Sequence, residues 1–136
     1  MASQAAAAAV LACLEANWDK TPITDANAGG RVPARNTPYL SLEFPVATEE
    51  QLTIGSPGSN WFREEGAFRI VLSIPTGHKL SPFDTWLDAL RAAFRSKSFD
   101  GVETWGAAPS ITNGRSANGA YYELSFSVPY RFDFLG

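Results

Sequence analysis

His78, the chain's one histidine, stands in Pro75-Thr76-Gly77-His78-Lys79, where a strand pattern gives way to a helix pattern. A catalytic imidazole needs a nucleophile or a carboxylate within hydrogen-bond reach. Ser81 and Asp84 are nearest in sequence, but a helix start employs both, so His78 reads as a solvated loop residue. The segment is not a phosphate loop either, because the glycine spacing and the Gly-Lys-Ser/Thr ending are missing. Cys13, the one cysteine, lies near the apolar side of a helical pattern and reads as a small buried hydrophobe. One Cys and one His exclude a disulfide framework, a Cys-based zinc site and a multi-His centre. Glu49-Glu50 and Glu64-Glu65 raise carboxylate chemistry or cation binding. Neighbours on a strand point to opposite faces, however, and no further acids join them, so both pairs are read as solvated turns. Arg115, in Asn113-Gly114-Arg115-Ser116, is too little for a nucleic-acid site. The expectation is no catalytic residue, no metal ligand and no cofactor.

The aromatic residues point to contact rather than catalysis. Trp61 and Phe62 directly follow the turn cluster Ser56-Pro57-Gly58-Ser59-Asn60, and Tyr121-Tyr122 put one ring on each face of a strand. Exposed aromatics beside loops are common interface anchors. The candidate oligomer or partner interface therefore comprises Trp61, Phe62, Arg115 and Tyr121, with Ser125 and Ser127 on the final strand.

The elements that must carry these residues are legible from periodicity. A helix is expected from about Ser3, its N-cap, to Asn17, with Ala7, Val10, Leu11, Leu14 and Trp18 on one face. Thr21 to Pro38, rich in Pro and Gly, reads as a long arm or loop. Alternation predicts strands over Tyr39 to Val46 and Phe68 to Ile74, and a weaker one over Gln51 to Gly55. Ser81-Pro82-Phe83-Asp84 opens a second helix, with Phe83, Trp86, Leu87, Leu90, Ala93 and Phe94 as its apolar stripe. A strand over Val102 to Trp105 follows, and Ala107 to Gly119 reads as a long hairpin loop or an extended flexible hairpin tip. The closing pattern alternates from Tyr121 to Phe134 and would reach nearly 50 Å at about 3.3 Å per residue. A strand that long suggests an outer edge outrunning its own sheet, with Pro129 at an edge or a bend. The fold class is α+β, an antiparallel or mixed sheet packed with two helices and long loops.

Totals bound the rest. The 136 residues form one domain, and 11 Lys+Arg against 14 Asp+Glu give a net charge of -3, so a basic footprint for gripping nucleic acid is absent. The longest apolar run, Ala5 to Leu14, is half a bilayer span and lacks a basic start, so a soluble, cytoplasmic chain is expected.

Several segments resemble the phage tail terminator family, including gene-transfer-agent-like particles. They are Trp18 followed by Thr21-Pro22-Ile23, Asn27, Pro33 and Pro38-Tyr39-Leu40, then Gln51-Leu52-Thr53-Ile54-Gly55 and Arg63-Glu64-Glu65-Gly66-Ala67-Phe68. The strongest is Ile74-Pro75-Thr76-Gly77 followed by Trp86-Leu87-Asp88-Ala89-Leu90-Arg91-Ala92-Ala93-Phe94, and Leu124-Ser125-Phe126-Ser127-Val128-Pro129-Tyr130 fits the family's ending. His78-Lys79 stands where the family usually has a second glycine. The resemblance implies a non-enzymatic structural protein of the virion, assembled in the host cytoplasm. It implies a homo-oligomer, usually a ring of six, at the head-proximal end of a long non-contractile tail. Its partners would be the tail-tube protein and the head connector, with DNA passing through the lumen without specific binding and no membrane contact. A neck or head-completion connector, and a small α+β ligand-binding domain, remain alternative readings. In a ring, Thr21 to Pro38 and Ala107 to Gly119 are expected to order on assembly.

Overall fold

The structure is a computed structural model and describes residues 3–21, 23–25, 38–75, 83–109, 111–115 and 121–136. The first helix, α1, spans Gln4–Asn17, and the hydroxyl of its N-cap, Ser3, accepts from the Ala6 N–H at 3.5 Å. It ends as Trp18 turns extended, the indole donating to the Thr21 hydroxyl at 2.8 Å. Val10, Leu14 and Trp18 of the expected face are buried, but Ala6 and Ala9 join them while Ala7 and Leu11 are only half-buried. With no side chain beyond Cβ, alanines let the helix lie close to its support, which rotates the stripe towards them. The second helix, α2, spans Phe83–Phe94 and buries Phe83, Leu87, Leu90 and Phe94, as its stripe predicts. The expected cap at Ser81 lies outside the described residues.

Seven strands form one sheet among the described residues: β1 (Ile23–Asp25), β2 (Tyr39–Gln51), β3 (Trp61–Pro75), β4 (Ser98–Phe99), β5 (Val102–Thr104), β6 (Ile111–Arg115) and β7 (Tyr121–Leu135). Their order is β1-β2-β3-β7-β5-β4, with β6 also on β7; β1 runs parallel to β2 and every other pairing is antiparallel. The class is therefore α+β with a mixed sheet. Within Ala107 to Gly119, Ile111–Arg115 forms β6, which pairs antiparallel with β7 as an extended hairpin would. Gln51 closes β2 rather than opening a strand, and β3 begins at Trp61 rather than Phe68.

The last strand is not an outer edge. β3 pairs with β7 from Trp61↔Leu135 to Pro75↔Tyr121, covering its whole length. The other side of β7 receives β6 near its start and β5 near its end. Pro129 fits this interior position because its carbonyl, accepting from the Trp105 N–H at 3.2 Å, points into the seam between β5 and β6. In a strand the N–H and C=O of one residue point the same way, so the donor that proline lacks falls in that seam and spares the β3 ladder.

Both helices cover one face of the sheet. Leu40, Phe68, Ile70, Leu72, Ile74, Leu124, Phe126, Val128 and Tyr130 form the sheet side of the core, and Phe68 meets Phe94 edge-on at 5.2 Å. Thr104 secures the end of α2: its hydroxyl donates to the Phe94 carbonyl at 2.5 Å and accepts from the Lys97 N–H at 2.9 Å. None of the helices described is long and apolar enough to cross a membrane.

Candidate functional site

Length sets the geometry of the exposed end. The 14-residue α1 and 12-residue α2 reach about 21 and 18 Å, whereas the 15-residue β3 and β7 reach about 50 Å. The helices cannot cover the whole sheet, and the paired ends of β2, β3 and β7 run past them. Alternation then assigns the side chains: even-numbered residues of β3 and β7 face the helices and odd-numbered ones the other face, which is open at this end but buried at Val71, Ser73 and Ser125. On the helix side of this end, Phe62 stacks on Phe134 at 5.7 Å and Phe134 on Phe132 at 5.8 Å. On the open side, the Arg63 guanidinium grips Asp133 in a fork, at 2.8 and 3.1 Å. That pairing holds the Asp133 carboxyl below its ordinary range and raises Arg63 further.

The tip itself is tied by backbone. Asn60 and Gly136 exchange N–H···O bonds at 3.2 and 2.9 Å, and the Leu52 N–H donates to the Trp61 carbonyl at 2.8 Å. The Thr53 hydroxyl accepts from the Trp61 N–H at 2.9 Å, and the Asn60 side-chain carbonyl accepts from the Ser56 N–H at 3.2 Å. This well-bonded tip presents apolar side chains to water: Ile54 is 85% exposed, Leu135 55%, Trp61 46% and Leu52 40%. Glu49, Glu50 and Glu65 lie exposed further along β2 and β3, Glu49 opposite Glu64, Glu50 opposite Arg63 and Glu65 opposite Thr48. Further along the open side Trp105 is exposed over the Arg131 guanidinium, 5.3 Å from its ring centroid, and Arg131 also pairs with Glu103 at 2.5 Å.

The six residues singled out from sequence do not form one site. Trp61 and Phe62 sit together at the tip, Trp61 exposed and Phe62 half-buried. Tyr121 lies opposite Pro75 and Arg115 opposite Tyr122, at the other end of the sheet; their side chains fall outside the described residues. Ser125 is fully buried and Ser127 half-buried, both midway along β7. Trp61 was singled out because it follows a turn cluster and it is exposed at the tip; Leu52, Ile54 and Leu135 were missed, because lone apolar residues in a turn or at a chain end carry no pattern.

His78 lies outside the described residues, and among those described no three His, Cys, Asp or Glu side chains are grouped to hold a metal. Cys13 is half-buried, and burial pushes its thiol up, away from the reactive thiolate. Glu64 corrects the solvated-turn reading of its pair. It is buried on the helix side of β3, accepting from the Tyr130 hydroxyl at 2.5 Å and from the Ser3 N–H at 3.2 and 3.3 Å. Glu49, Glu50 and Glu65 are exposed, but all four acids lie on strands. Glu64 thus joins α1 to the sheet, a structural task.

A family model described as phage tail terminator protein matches residues 5–130. No curated protein matches the chain. The matched span takes in both helices and all of the sheet but the last residues of β7. A subunit with one sheet face packed against its helices and an apolar tip at one end fits a protein that works by contact, and this chain belongs to the phage tail terminator family.

Proposed function

We propose that the protein forms a ring, of six copies, at the head-proximal end of a phage tail, where it ends tail-tube polymerisation and joins the tube to the head connector. The observation that carries this reading, beside the family, is the tied sheet end that presents Leu52, Ile54, Trp61 and Leu135 to water. Large apolar side chains exposed together on a well-bonded edge have the character of a contact surface. The protein acts by assembly, without catalysis or cofactor, in the virion after assembly in the host cytoplasm. DNA passes the lumen without specific binding: Arg63, Arg69 and Arg131 on the open sheet face are each paired with a carboxylate, leaving few unmatched cations for phosphates there.

Withholding the protein from tail-tube assembly and restoring it tests this directly, with tube lengths measured by negative-stain electron microscopy. Tubes of irregular length without it, and capped tubes with a ring at one end when it is added, are expected. Binding to the connector but never to the tube would replace this reading with a head-completion role.

A further inference from the structure

Near the tip, the open face is ordered in rows that cross β2, β3 and β7, each of one chemical character. Trp61 pairs with Leu135, and the Leu52 N–H donates to Trp61, giving an apolar row at the tip. Two residues inward Glu50, Arg63 and Asp133 stand side by side, and two further on Thr48, Glu65 and Arg131 do the same. The fourth row is apolar again: Val46, Ala67 and Pro129, extended by the exposed Trp105, whose N–H donates to Pro129. The two apolar rows lie about 20 Å apart, at roughly 3.3 Å per residue. Arg63, Ala67, Arg131 and Asp133 are half-buried, and the other residues of the four rows are exposed.

On β3 the rows read Trp61, Arg63, Glu65, Ala67, and on β7 they read Leu135, Asp133, Arg131, Pro129. Each strand is apolar, charged, charged, apolar from either end, and reading it backwards reverses the sign of the charges. A two-fold contact requires this, because residue i meets j of the second copy while j meets i. Turned about an axis midway between the charged rows, a second copy sets its Glu65 over Arg63 and its Arg131 over Asp133. The fork between Arg63 and Asp133, at 2.8 and 3.1 Å, then faces a pair of opposite sense. Four charges alternating in sign offset part of the cost of leaving water. In the outer rows large side chains meet small ones, Trp61 over Ala67 and Leu135 over Pro129, with Leu52 over Val46. Glu50 faces Thr48, and Glu103, opposite Arg131 on the flanking β5, stays in water at the rim. Aligned sheets cross at about 30°, and the charged rows lie within about 4 Å of the centre, where that angle moves them least.

Area fits the same occupant. Val46, Leu52, Trp61, Trp105 and Leu135 leave on the order of 500 Å² of apolar surface in water. With the charged rows between them, the face approaches the roughly 800 Å² each partner gives to a standard interface. We propose that the free subunit is a two-fold dimer, closed face to face across these rows. A two-fold contact joins two copies and offers nothing to a third, so the dimer is a state apart from the ring and opens before the ring forms. It keeps both apolar rows out of water until assembly begins.

Sedimentation velocity over a dilution series of the purified full chain tests it, with circular dichroism to confirm the fold of each variant. The wild type should sediment as a dimer that dissociates on dilution. Glu65→Lys sets a cation over Arg63 at both symmetric positions, and Arg63→Glu sets a carboxylate over Glu65 at both. Each alone should raise the dissociation constant of the dimer at least tenfold, and so should Leu135→Lys at an exposed apolar position. Mixing Glu65→Lys chains with Arg63→Glu chains should yield a heterodimer of near wild-type affinity, because opposite charges then meet at both positions. A wild type that stays monomeric at millimolar concentration overturns the dimer. Charge variants that dimerise like the wild type overturn it too, as do single variants whose lost dimer is not regained on mixing. Tube capping, scored separately, keeps this apart from the ring: a wild type that caps tubes yet never dimerises overturns the dimer alone. A wild type that dimerises, with variants that recover on mixing, upholds the dimer even where no tube is capped and the ring reading fails.

Discussion

The Tyr130 hydroxyl donates to Glu64 at 2.5 Å inside the protein, at the point where α1 begins against the sheet. Glu64 is 4% exposed and Tyr130 1%. The same carboxylate accepts the Ser3 N–H, so its negative charge also sits at the positive end of the α1 dipole.

Removing this carboxylate leaves two donors without an acceptor. Glu64→Ala should lower unfolding free energy by roughly 2–4 kcal/mol, and Glu64→Gln, which keeps an acceptor oxygen, by about 1 kcal/mol. Tyr130→Phe should cost about 1–2 kcal/mol, and the double variant should cost less than the two singles added together. Urea titration of the four proteins gives the coupling directly. Full additivity would mean that the two groups stabilise the fold independently.

The same pair sets an alkaline limit. Burial first, and then the Glu64 carboxylate, push the Tyr130 phenol well above its ordinary value of about 10. The unfolded chain releases this proton at lower pH than the folded chain. The contribution is therefore complete below pH about 10 and is lost as pH rises towards the folded value. Stability measured between pH 9 and 11 should fall in the wild type and fall less steeply in Tyr130→Phe. Parallel curves would remove Tyr130 from the effect.

Much of this was written in the alternation, and its limits are physical. The stripe of α2 and the period of β7 were both readable, since burial on one face leaves a period in the residues themselves. Which strands flank β7 was not readable, because alternation reports faces and says nothing about edges. Glu64 was within reach: carrying the even-numbered pattern of Phe68, Ile70, Leu72 and Ile74 back through Gly66 places Glu64 on the core face with Phe62. Reading Glu64-Glu65 as a unit hid that signal. The tip was only partly legible, since Trp61 follows a turn cluster but Ile54 and Leu135 acquire neighbours only through pairing.

Gly66 stands opposite Ala47, beside the irregularity in β2 between Glu43 and Val46. A Cβ there would stand 2.2 Å from the Val46 carbonyl oxygen and 2.9 Å from the Ala47 Cα, both backbone. Neither atom can swing aside, so the bulge has to move. Gly66→Ala should destabilise the protein by about 2 kcal/mol or more, despite alanine's lower cost of ordering. An unchanged melting midpoint would mean that β2 shifts freely at the bulge.

Proline substitutions in β7 separate an interior strand from an edge. Ser125 is fully buried and pairs with Val71 on one side and Ile111 on the other. Ser127 and Pro129 both turn their carbonyls to the β5–β6 side, accepting from Ala108 and Trp105. Ser125, two residues earlier, shares that orientation, so its N–H faces β6. Ser125→Pro should remove a ladder bond and force a ring into a filled space, at about 3 kcal/mol or more. At Ser127 the β6 register has already ended, at Ser125, and β5 does not begin until Tyr130. Ser127→Pro therefore falls in the seam that already accepts Pro129, and should cost under about 2 kcal/mol. Denaturant midpoints rank the two, with Ser125→Pro far below Ser127→Pro. Equal, small losses would mean that β6 detaches from β7 in solution, leaving that side of the strand open as an edge.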